Sequence, residues 1–260
     1  MELILIGAVA LLTSALTLFS GFGLGTVLMP VFALFFPVPL AIAATAVVHF
    51  ANNLFKFGLM ARQADWRVVA RFSAPAAVAA LGGAATLGLV DRLPVLARYT
   101  LGESSFEVTA VKAVIGGLIV IFAALELSPA FQRLALPARW LPVGGVLSGF
   151  FGGLSGNQGA LRSAFLLKAG LSKEAFVATG VVSAVIVDAV RLTVYGTTVL
   201  AGFVEQSRAL LAPVTVGTLC AFVGAVVGKR VLQKVTLRTV RSIVAAAMLG
   251  IGAGMASGLL

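Results

Sequence analysis

Long apolar runs recur along the whole chain, and they constrain its fold more than any other feature. Of the 260 residues, 60% are hydrophobic and only 11% are charged, whereas about a quarter of the residues of a soluble domain are charged. A helix needs about 20 apolar residues to cross a bilayer, and several runs approach that length. The short alternating segments of a membrane β-barrel are not seen. The sequence therefore predicts an all-α polytopic membrane protein with about 8–10 membrane segments, embedded in a lipid bilayer.

The positive charge of the chain lies mainly in short connections between the apolar runs. The formal net charge is +10, which in a soluble protein would suggest nucleic-acid binding. Basic loops between apolar runs are instead typical of the inner side of a membrane, and no aromatic-basic stripe is visible. We therefore expect no nucleic acid as a partner.

No group of residues typical of an enzyme is found in the sequence. The chain has one cysteine, Cys220, and one histidine, His49, which excludes intramolecular disulfides and thiol-only metal sites. No two carboxylates show a recognisable catalytic spacing, and "GFGLG" does not follow a predicted strand as a dinucleotide motif would. We predict that the chain is not an enzyme and binds no cofactor or metal. Its apolar start lacks a basic region and a clear cleavage site, so we expect a retained membrane helix.

Two glycine-rich breaks interrupt apolar segments at related positions. The first, "SGFGLG", covers Ser20–Gly25, and the second, "LSGNQG", covers Leu154–Gly159. The two halves of the chain align without gaps across these breaks. "AIAAT" (Ala41–Thr45) then matches "AFVAT" (Ala175–Thr179) after the loss of one residue. Internal duplication of this kind is a common way to build transporters, and the sequence predicts one here.

Basic residues predict that the second repeat is inverted relative to the first. The loops that we place on the cytoplasmic side carry Arg62, Arg67, Arg71, Arg133, Arg139, Lys229, Arg230, Lys234, Arg238 and Arg241. The loops at Asp91–Glu107 and Gly196–Arg208 are less basic and are predicted outside. When membrane spans are traced between the loops assigned to each side, the second half has the opposite orientation to the first. Both termini then lie outside. The predicted units are a first repeat at 1–128, a cytoplasmic linker at 129–139 and a second repeat at 140–260.

Each break is predicted to form the tip of a hairpin. The limbs that follow, Thr26–Phe36 and Gly159–Gly170, are each only about 11–12 residues, or about 18 Å as helix, against about 30 Å of hydrocarbon core. The tips would then meet near the middle of the bilayer, entering from opposite faces. Alternatively, the limbs continue into the turns and span fully, which gives five spans in each half.

Backbone breaks at this depth predict a ligand site. Non-helical backbone in a membrane is tolerated only where it is buried in protein or lines a wet cavity. A helix that begins at a break presents unpaired N–H groups, which bind anions. The glycines concerned are Gly21, Gly23, Gly25, Gly152, Gly153 and Gly156. The alternative is that these glycines only permit tight helix packing.

Charged residues inside apolar spans are further candidates, because such residues mark pathways or ion pairs. Arg162 lies one turn beyond the second break, and we expect it to contact the substrate or to line its path. Asp188 and Arg191 are three residues apart on one predicted helix and share a face. They either bind the substrate or line its path, or they form a structural ion pair.

The first half offers a comparable group in "HFANNLFK". If the alignment of the two halves is shifted by one residue, Asn53 and Lys56 align with Asp188 and Arg191. Lys56 either faces the site or extends to the inner membrane interface. His49 either carries a coupling proton or is a hydrogen-bonded structural residue.

These motifs carry a family resemblance. "SGFGLGTVLMP" followed by "AIAAT", and "SGFFGGLSGNQGALRSAF" followed by "KEAFVATGVVSA", resemble the two repeats of the sulfite exporter TauE/SafE family, also called the 4-toluene sulfonate uptake permease family. "ADWR" is similar to a further element of that family, and the resemblance covers nearly the whole chain. It implies an inner-membrane carrier of small anions, often sulfur-containing, with duplicated glycine-rich motifs near the substrate path.

The second break departs from the family pattern. The family motif resembles G-x-G-G-G with a proline a few residues later, and the first break keeps three glycines and Pro30. The second break has Gln158 and Ala160 where glycines are expected, and Phe165 in place of the proline. Polar side chains thus stand where the family usually presents bare backbone, which leaves the identity of the substrate open.

The residues and the resemblance together predict a secondary transporter in the inner membrane. We expect it to move sulfur-containing oxyanions or organosulfonates, with one half of the chain moving against the other. The predicted substrate-binding residues are Gly21, Gly23, Gly25, Asn53, Lys56, Ser155, Gly156, Asn157, Gln158, Gly159, Arg162 and Arg191, and the predicted coupling or gating residues are Asp188 and His49. H⁺ or Na⁺ is the expected coupling ion. An anion channel of the same fold and a non-transporting assembly factor are the alternatives, and homo-oligomer formation is left open.

Overall fold

A computed structural model describes residues 1–20, 24–134, 136–203, 208–231 and 237–260. The helices are α1 (Glu2–Ser20), α2 (Leu24–Ala33), α3 (Val38–Met60), α4 (Trp66–Asp91), α5 (Ala110–Leu127), α6 (Pro129–Gln132), α7 (Leu141–Ser155), α8 (Gly159–Leu166), α9 (Lys173–Thr198), α10 (Leu211–Val231) and α11 (Leu237–Ala256). Short 3₁₀ segments lie at Ala61–Gln63, Ala138–Trp140 and Leu200–Phe203. The two strands are β1 (Val95–Leu101) and β2 (Ser104–Thr109).

Five of the described helices are long and apolar enough to cross a membrane: α3, α4, α5, α9 and α10. Shorter apolar helical stretches lie at Glu2–Leu16, Leu24–Ala33 and Val244–Ala256. Large apolar side chains on the outer faces, such as Val78 and Leu219, are exposed as lipid-facing residues would be. The prediction of an all-α polytopic membrane protein is therefore confirmed.

Several helix boundaries follow from local chemistry. Asp65 caps α4, because its Oδ1 atom accepts from the backbone N–H groups of Arg67 and Val68, both at 3.0 Å. Ser172 caps α9, accepting from the N–H of Ala175 at 3.2 Å. Each cap satisfies backbone donors that the first turn of a helix leaves free.

The segment predicted as a polar loop at Asp91–Glu107 contains a β-hairpin instead. β1 and β2 pair antiparallel, with Leu101 opposite Ser104 and Gly102 in the turn at φ 63. A positive φ is accessible to glycine at little cost, which explains the turn position. The hydroxyl of Tyr99 donates to the carbonyl of Ser257 at 2.7 Å and so ties the hairpin to the C-terminal segment. The prediction missed the hairpin because each strand is only 6 or 7 residues long.

The two limbs that follow the breaks are short helices. α2 has 10 residues and α8 has 8, which correspond to about 15 and 12 Å at the α-helical rise. Both are shorter than the predicted limbs, because the chain already turns at residues 34–36 and 167–170. Neither helix continues into the next one, so neither is long enough to cross about 30 Å of hydrocarbon.

Helices from the two halves of the chain pack against each other in pairs. α4 packs along α7, α1 along α10 and α5 along α11. Glycine permits the closest approaches: a Cβ atom on Gly149 of α7 would lie 2.0 Å from the carbonyl oxygen of Ala76 on α4. A Cβ on Gly224 of α10 would lie 2.2 Å from the carbonyl oxygen of Leu11 on α1. Of the glycines at the breaks, Gly153 makes a similar approach, with a Cβ position 2.3 Å from the carbonyl oxygen of Ala80, as small residues do where helix backbones touch.

The remaining long helices, α3 and α9, lie against each other in the interior. They run in opposite directions, because Asp65, just beyond the end of α3, donates its N–H to the Thr179 hydroxyl near the start of α9, at 3.0 Å. Polar side chains are concentrated where these two helices meet the second break.

Candidate functional site

The second break has a defined geometry. α7 ends at Ser155, and Gly156 adopts a left-handed conformation with φ 81 while its N–H bonds the carbonyl of Gly152 at 3.0 Å. This is a helix C-terminal turn that favours glycine. Asn157 and Gln158 follow outside both helices, and α8 begins at Gly159.

The first break lies beside the second. A Cβ on Gly25 of α2 would lie 3.5 Å from the carbonyl oxygen of Gly156 and 3.7 Å from both His49 Cδ2 and Thr45 Cγ2. Gly25 therefore sits between the second break and α3. Gly21 and Gly23, which were predicted to bind substrate, lie outside the described residues.

Asp188 is the centre of a buried polar cluster. Its Oδ2 atom lies 2.6 Å from Nδ1 of His49, and its Oδ1 atom lies 2.7 Å from Nη2 of Arg191. Nε2 of Gln158 also donates to Oδ1 of Asp188, at 3.0 Å. All of these residues are buried. Side chains from α3, from the second break and from α9 thus share one carboxylate.

Arg191 connects this cluster to the end of α7. Its Nη1 atom donates to the carbonyl of Gly152 at 2.8 Å, and the same atom lies 3.3 Å from where a Cβ on Gly156 would be. The hydroxyl of Tyr195, one turn further along α9, donates to the carbonyl of Gly153. Sequence reasoning missed Tyr195, although its position four residues after Arg191 places it on the same helix face.

The polar residues of the break are mostly held in place by α7. The Ser148 hydroxyl donates to the carbonyl of Gln158 at 3.0 Å, and the Ser155 hydroxyl donates to the carbonyl of Phe151, also at 3.0 Å. The amide nitrogen of Asn157 then donates to Ser155 Oγ at 3.2 Å. The Oδ1 atom of Asn157 is buried without a hydrogen-bond partner.

The first-half residues Asn53 and Lys56 also point into the protein. Nδ2 of Asn53 donates to the backbone carbonyl of His49 at 2.9 Å and lies 3.1 Å from its Nε2 atom. Lys56 is only 5% exposed, and its ammonium lies 3.1 Å from the amide oxygen of Asn52 when that amide is turned to face it. Lys56 is therefore enclosed by protein rather than extended to the surface.

Arg162 projects from α8 toward α9. Its Nε atom lies 3.6 Å from where a Cβ on Gly180 would be, and its Nη1 atom is buried without a hydrogen-bond partner. Among the described residues, no carboxylate forms an ion pair with it. Its charge nevertheless acts on both Lys56 and Asp188, so all three belong to one electrostatic cluster.

The described part of the chain has no group of three or more side chains that could hold a metal ion. The cluster around Asp188 is held by ion pairs and hydrogen bonds. It combines one carboxylate, several cations and the start of a helix, which together suit an anionic ligand.

The comparisons with known proteins agree with this architecture. The chain matches the family model for the sulfite exporter TauE/SafE over residues 6–255. No curated protein and no solved structure matches it. The family match includes both glycine breaks and every residue of the cluster around Asp188. The chain therefore belongs to the sulfite exporter TauE/SafE family, a family of membrane transporters of sulfur-related anions.

Proposed function

We propose that the protein is a secondary transporter of small sulfur-containing oxyanions or organosulfonates, of the sulfite, thiosulfate or sulfoacetate type. It would act in the cytoplasmic membrane, with both termini outside. The observation that carries this proposal is Arg162: its guanidinium has a buried Nη1 atom without a partner and no ion pair among the described residues. A free guanidinium is suited to an oxyanion, which it binds through paired N–H groups.

The surroundings of Arg162 support this assignment. α8 begins at Gly159, so unpaired backbone N–H groups and a positive helix end lie one turn away. Gly25 brings the first break to the carbonyl of Gly156, which leaves little side-chain bulk between the two breaks. The proposed substrate-binding residues are the twelve predicted from the sequence, of which Gly21 is the first and Arg191 the last. Arg162 is the principal cation among them.

The inverted repeat and alternating access are part of the same proposal. The packing of α7 on α4 has its counterpart in the packing of α1 on α10, as expected if α1 corresponds to α7 and α4 to α10. Likewise, α3 and α9 contact each other, and so do α5 and α11. Each of these relations is what an internal twofold axis would produce.

Coupling is assigned to His49 and Asp188. Their bond of 2.6 Å joins α3 to α9, one helix from each proposed repeat. A proton or a sodium ion bound at this carboxylate would weaken the bond and so favour separation of the two helices. H⁺ and Na⁺ are distinguished by whether a pH gradient or a sodium gradient drives uptake.

Transport is tested with purified protein in liposomes, by following the uptake of ³⁵S-labelled sulfite and thiosulfate. We expect saturable uptake and counterflow, which an anion channel would not show. Empty liposomes give the background. The absence of any anion flux would support an assembly factor. In a thermal-shift measurement, stabilisation of the purified protein by carboxylates but by no sulfur anion would contradict the substrate class.

The role of Arg162 is tested by the Arg162→Ala variant. We expect the variant to remain folded and to lose the increase in unfolding temperature that sulfur anions give the wild-type protein, because its free guanidinium is the main donor. Thermal-shift measurement with sulfite and thiosulfate checks this. Arg133→Ala, at an exposed position, is the matched control. An unchanged response in Arg162→Ala would remove this residue from the site.

A further inference from the structure

The charges inside the protein do not balance around the second break. Two cationic side chains, Arg162 and Arg191, act on the carboxylate of Asp188, and the charge of Arg162 also acts on a third cation, Lys56. Arg191 and Asp188 form an ion pair at 2.7 Å and neutralise each other. His49 is the other titratable group at this carboxylate, and a proton on it would only add positive charge.

Two cations therefore remain without a counter-charge. The contact of Lys56 is the amide oxygen of Asn52, which carries no net charge. Among the described residues, neither Lys56 nor Arg162 forms an ion pair, and their charges repel each other. Lys56 is only 5% exposed, and Nη1 of Arg162 is buried without a hydrogen-bond partner. A charge kept from water without a partner is unfavourable, so these two cations in one cluster indicate that a ligand completes the site.

These two cations lie at the same level of the protein. Lys56 is seven residues beyond His49 on α3, and Arg162 approaches Gly180, eight residues before Asp188 on α9. Because α3 and α9 are antiparallel, both positions lie on the same side of the His49–Asp188 bond, about 10–12 Å along the helices. The space between Lys56 and Arg162 lies to one side of that bond.

We propose that this space selects doubly charged sulfur anions, held between the ammonium of Lys56 and the guanidinium of Arg162. This inference rests on the proposed function and adds the charge of the substrate to it. A dianion neutralises both cations, whereas a monoanion leaves one of them buried and unpaired. Thiosulfate, sulfite in its doubly charged form and sulfoacetate fit the requirement. Methanesulfonate and isethionate, with one charge each, do not.

The wild-type protein tests the proposal without any substitution. Sulfoacetate and isethionate form a matched pair, because both are two-carbon sulfonates and only the first carries a second charge. We expect sulfoacetate to bind at least about tenfold more tightly than isethionate in calorimetric titrations, and thiosulfate to exceed methanesulfonate similarly. Equal affinities for the two charge classes would overturn the proposal and leave anion transport standing. If no sulfur anion binds, the proposed function is contradicted as well.

The Lys56→Gln variant tests the role of the second cation. We expect its affinity for sulfoacetate to fall about tenfold or more and its affinity for isethionate to change less than about threefold. Lys112→Gln is the matched control, since Lys112 is only partly buried at the start of α5, away from the cluster. A Lys56→Gln protein that keeps the wild-type preference for dianions would overturn the assignment. If that variant does not fold, Arg162→Gln is titrated in the same way: loss of the preference for sulfoacetate over isethionate supports the proposal, and a retained preference overturns it.

Discussion

Asp188 accepts contacts from three side chains, and this concentration has consequences for stability. His49, Gln158 and Arg191 all contact its two oxygens, and none of the four residues is more than slightly exposed. A buried ion pair contributes little net stability, but removing one partner leaves the other charge unsatisfied. The cluster is therefore sensitive to single substitutions and tolerant of paired ones.

Asp188→Asn tests this sensitivity. We expect it to destabilise the protein by about 3–5 kcal/mol, because Arg191 loses its only ion-pair partner in the described structure while it remains buried. Thermal unfolding in detergent measures the effect. The double variant Asp188→Asn with Arg191→Gln should recover part of the loss. A double variant less stable than Asp188→Asn would contradict the account.

The sequence predicted some of these contacts and missed others for a physical reason. Asp188 and Arg191 are three residues apart, so helical periodicity alone predicts their pairing. His49 lies 139 residues from Asp188, and no local rule relates them. Gln158 was predicted to bind the substrate, and its bond to Asp188, 30 residues away, was not predicted. Partners distant in the chain depend on packing that a single sequence does not encode locally.

At the scale of helices, the close contacts between α7 and α4 depend on the absence of side chains. The glycines at Gly145, Gly149 and Gly153 recur every four residues and face carbonyl groups of α4. This spacing predicts a packing face, but the partner helix follows only from the structure. Because backbones are in contact, α4 and α7 are expected to move together in any transport cycle. The bodies that move would then combine helices from both sequence halves.

Gly149→Ala tests this contact. The new Cβ would lie 2.0 Å from the carbonyl oxygen of Ala76, so the helices must separate, and we expect a loss of about 1–3 kcal/mol of stability. Gly82→Ala is the matched control, because nothing lies within 4 Å of a Cβ there. That control should be neutral or slightly stabilised, since alanine favours helix. Thermal unfolding compares the two, and equal effects would contradict the contact.

At the scale of the whole molecule, the fold class was predictable because the hydrophobic runs are long and repeated. The long helices coincide with the long apolar runs, as expected for strongly periodic segments. The short limbs and the β-hairpin were predicted less well, because turns decide where they end. The orientation in the membrane rests on the positions of basic loops.

Cysteine labelling tests that orientation. In a Cys220→Ala background, Ser104→Cys on the exposed hairpin should react with a membrane-impermeant maleimide added to intact cells, because the hairpin is predicted outside. Gln63→Cys, in the basic connection after α3, should react only after the membrane is opened. Labelling in the reverse pattern would invert the topology and both proposed terminus positions.

The pairing of α1 with α10 also sets an order of assembly during synthesis. α1 leaves the ribosome before the other helices described here, yet α10, against which it packs, begins only at Leu211. α4 meets α7 much earlier in the growing chain. The membrane must therefore hold α1 without its native neighbour until most of the protein has been inserted. A nascent chain that stops before Leu211 contains the whole cluster around Asp188 and still leaves α1 without α10.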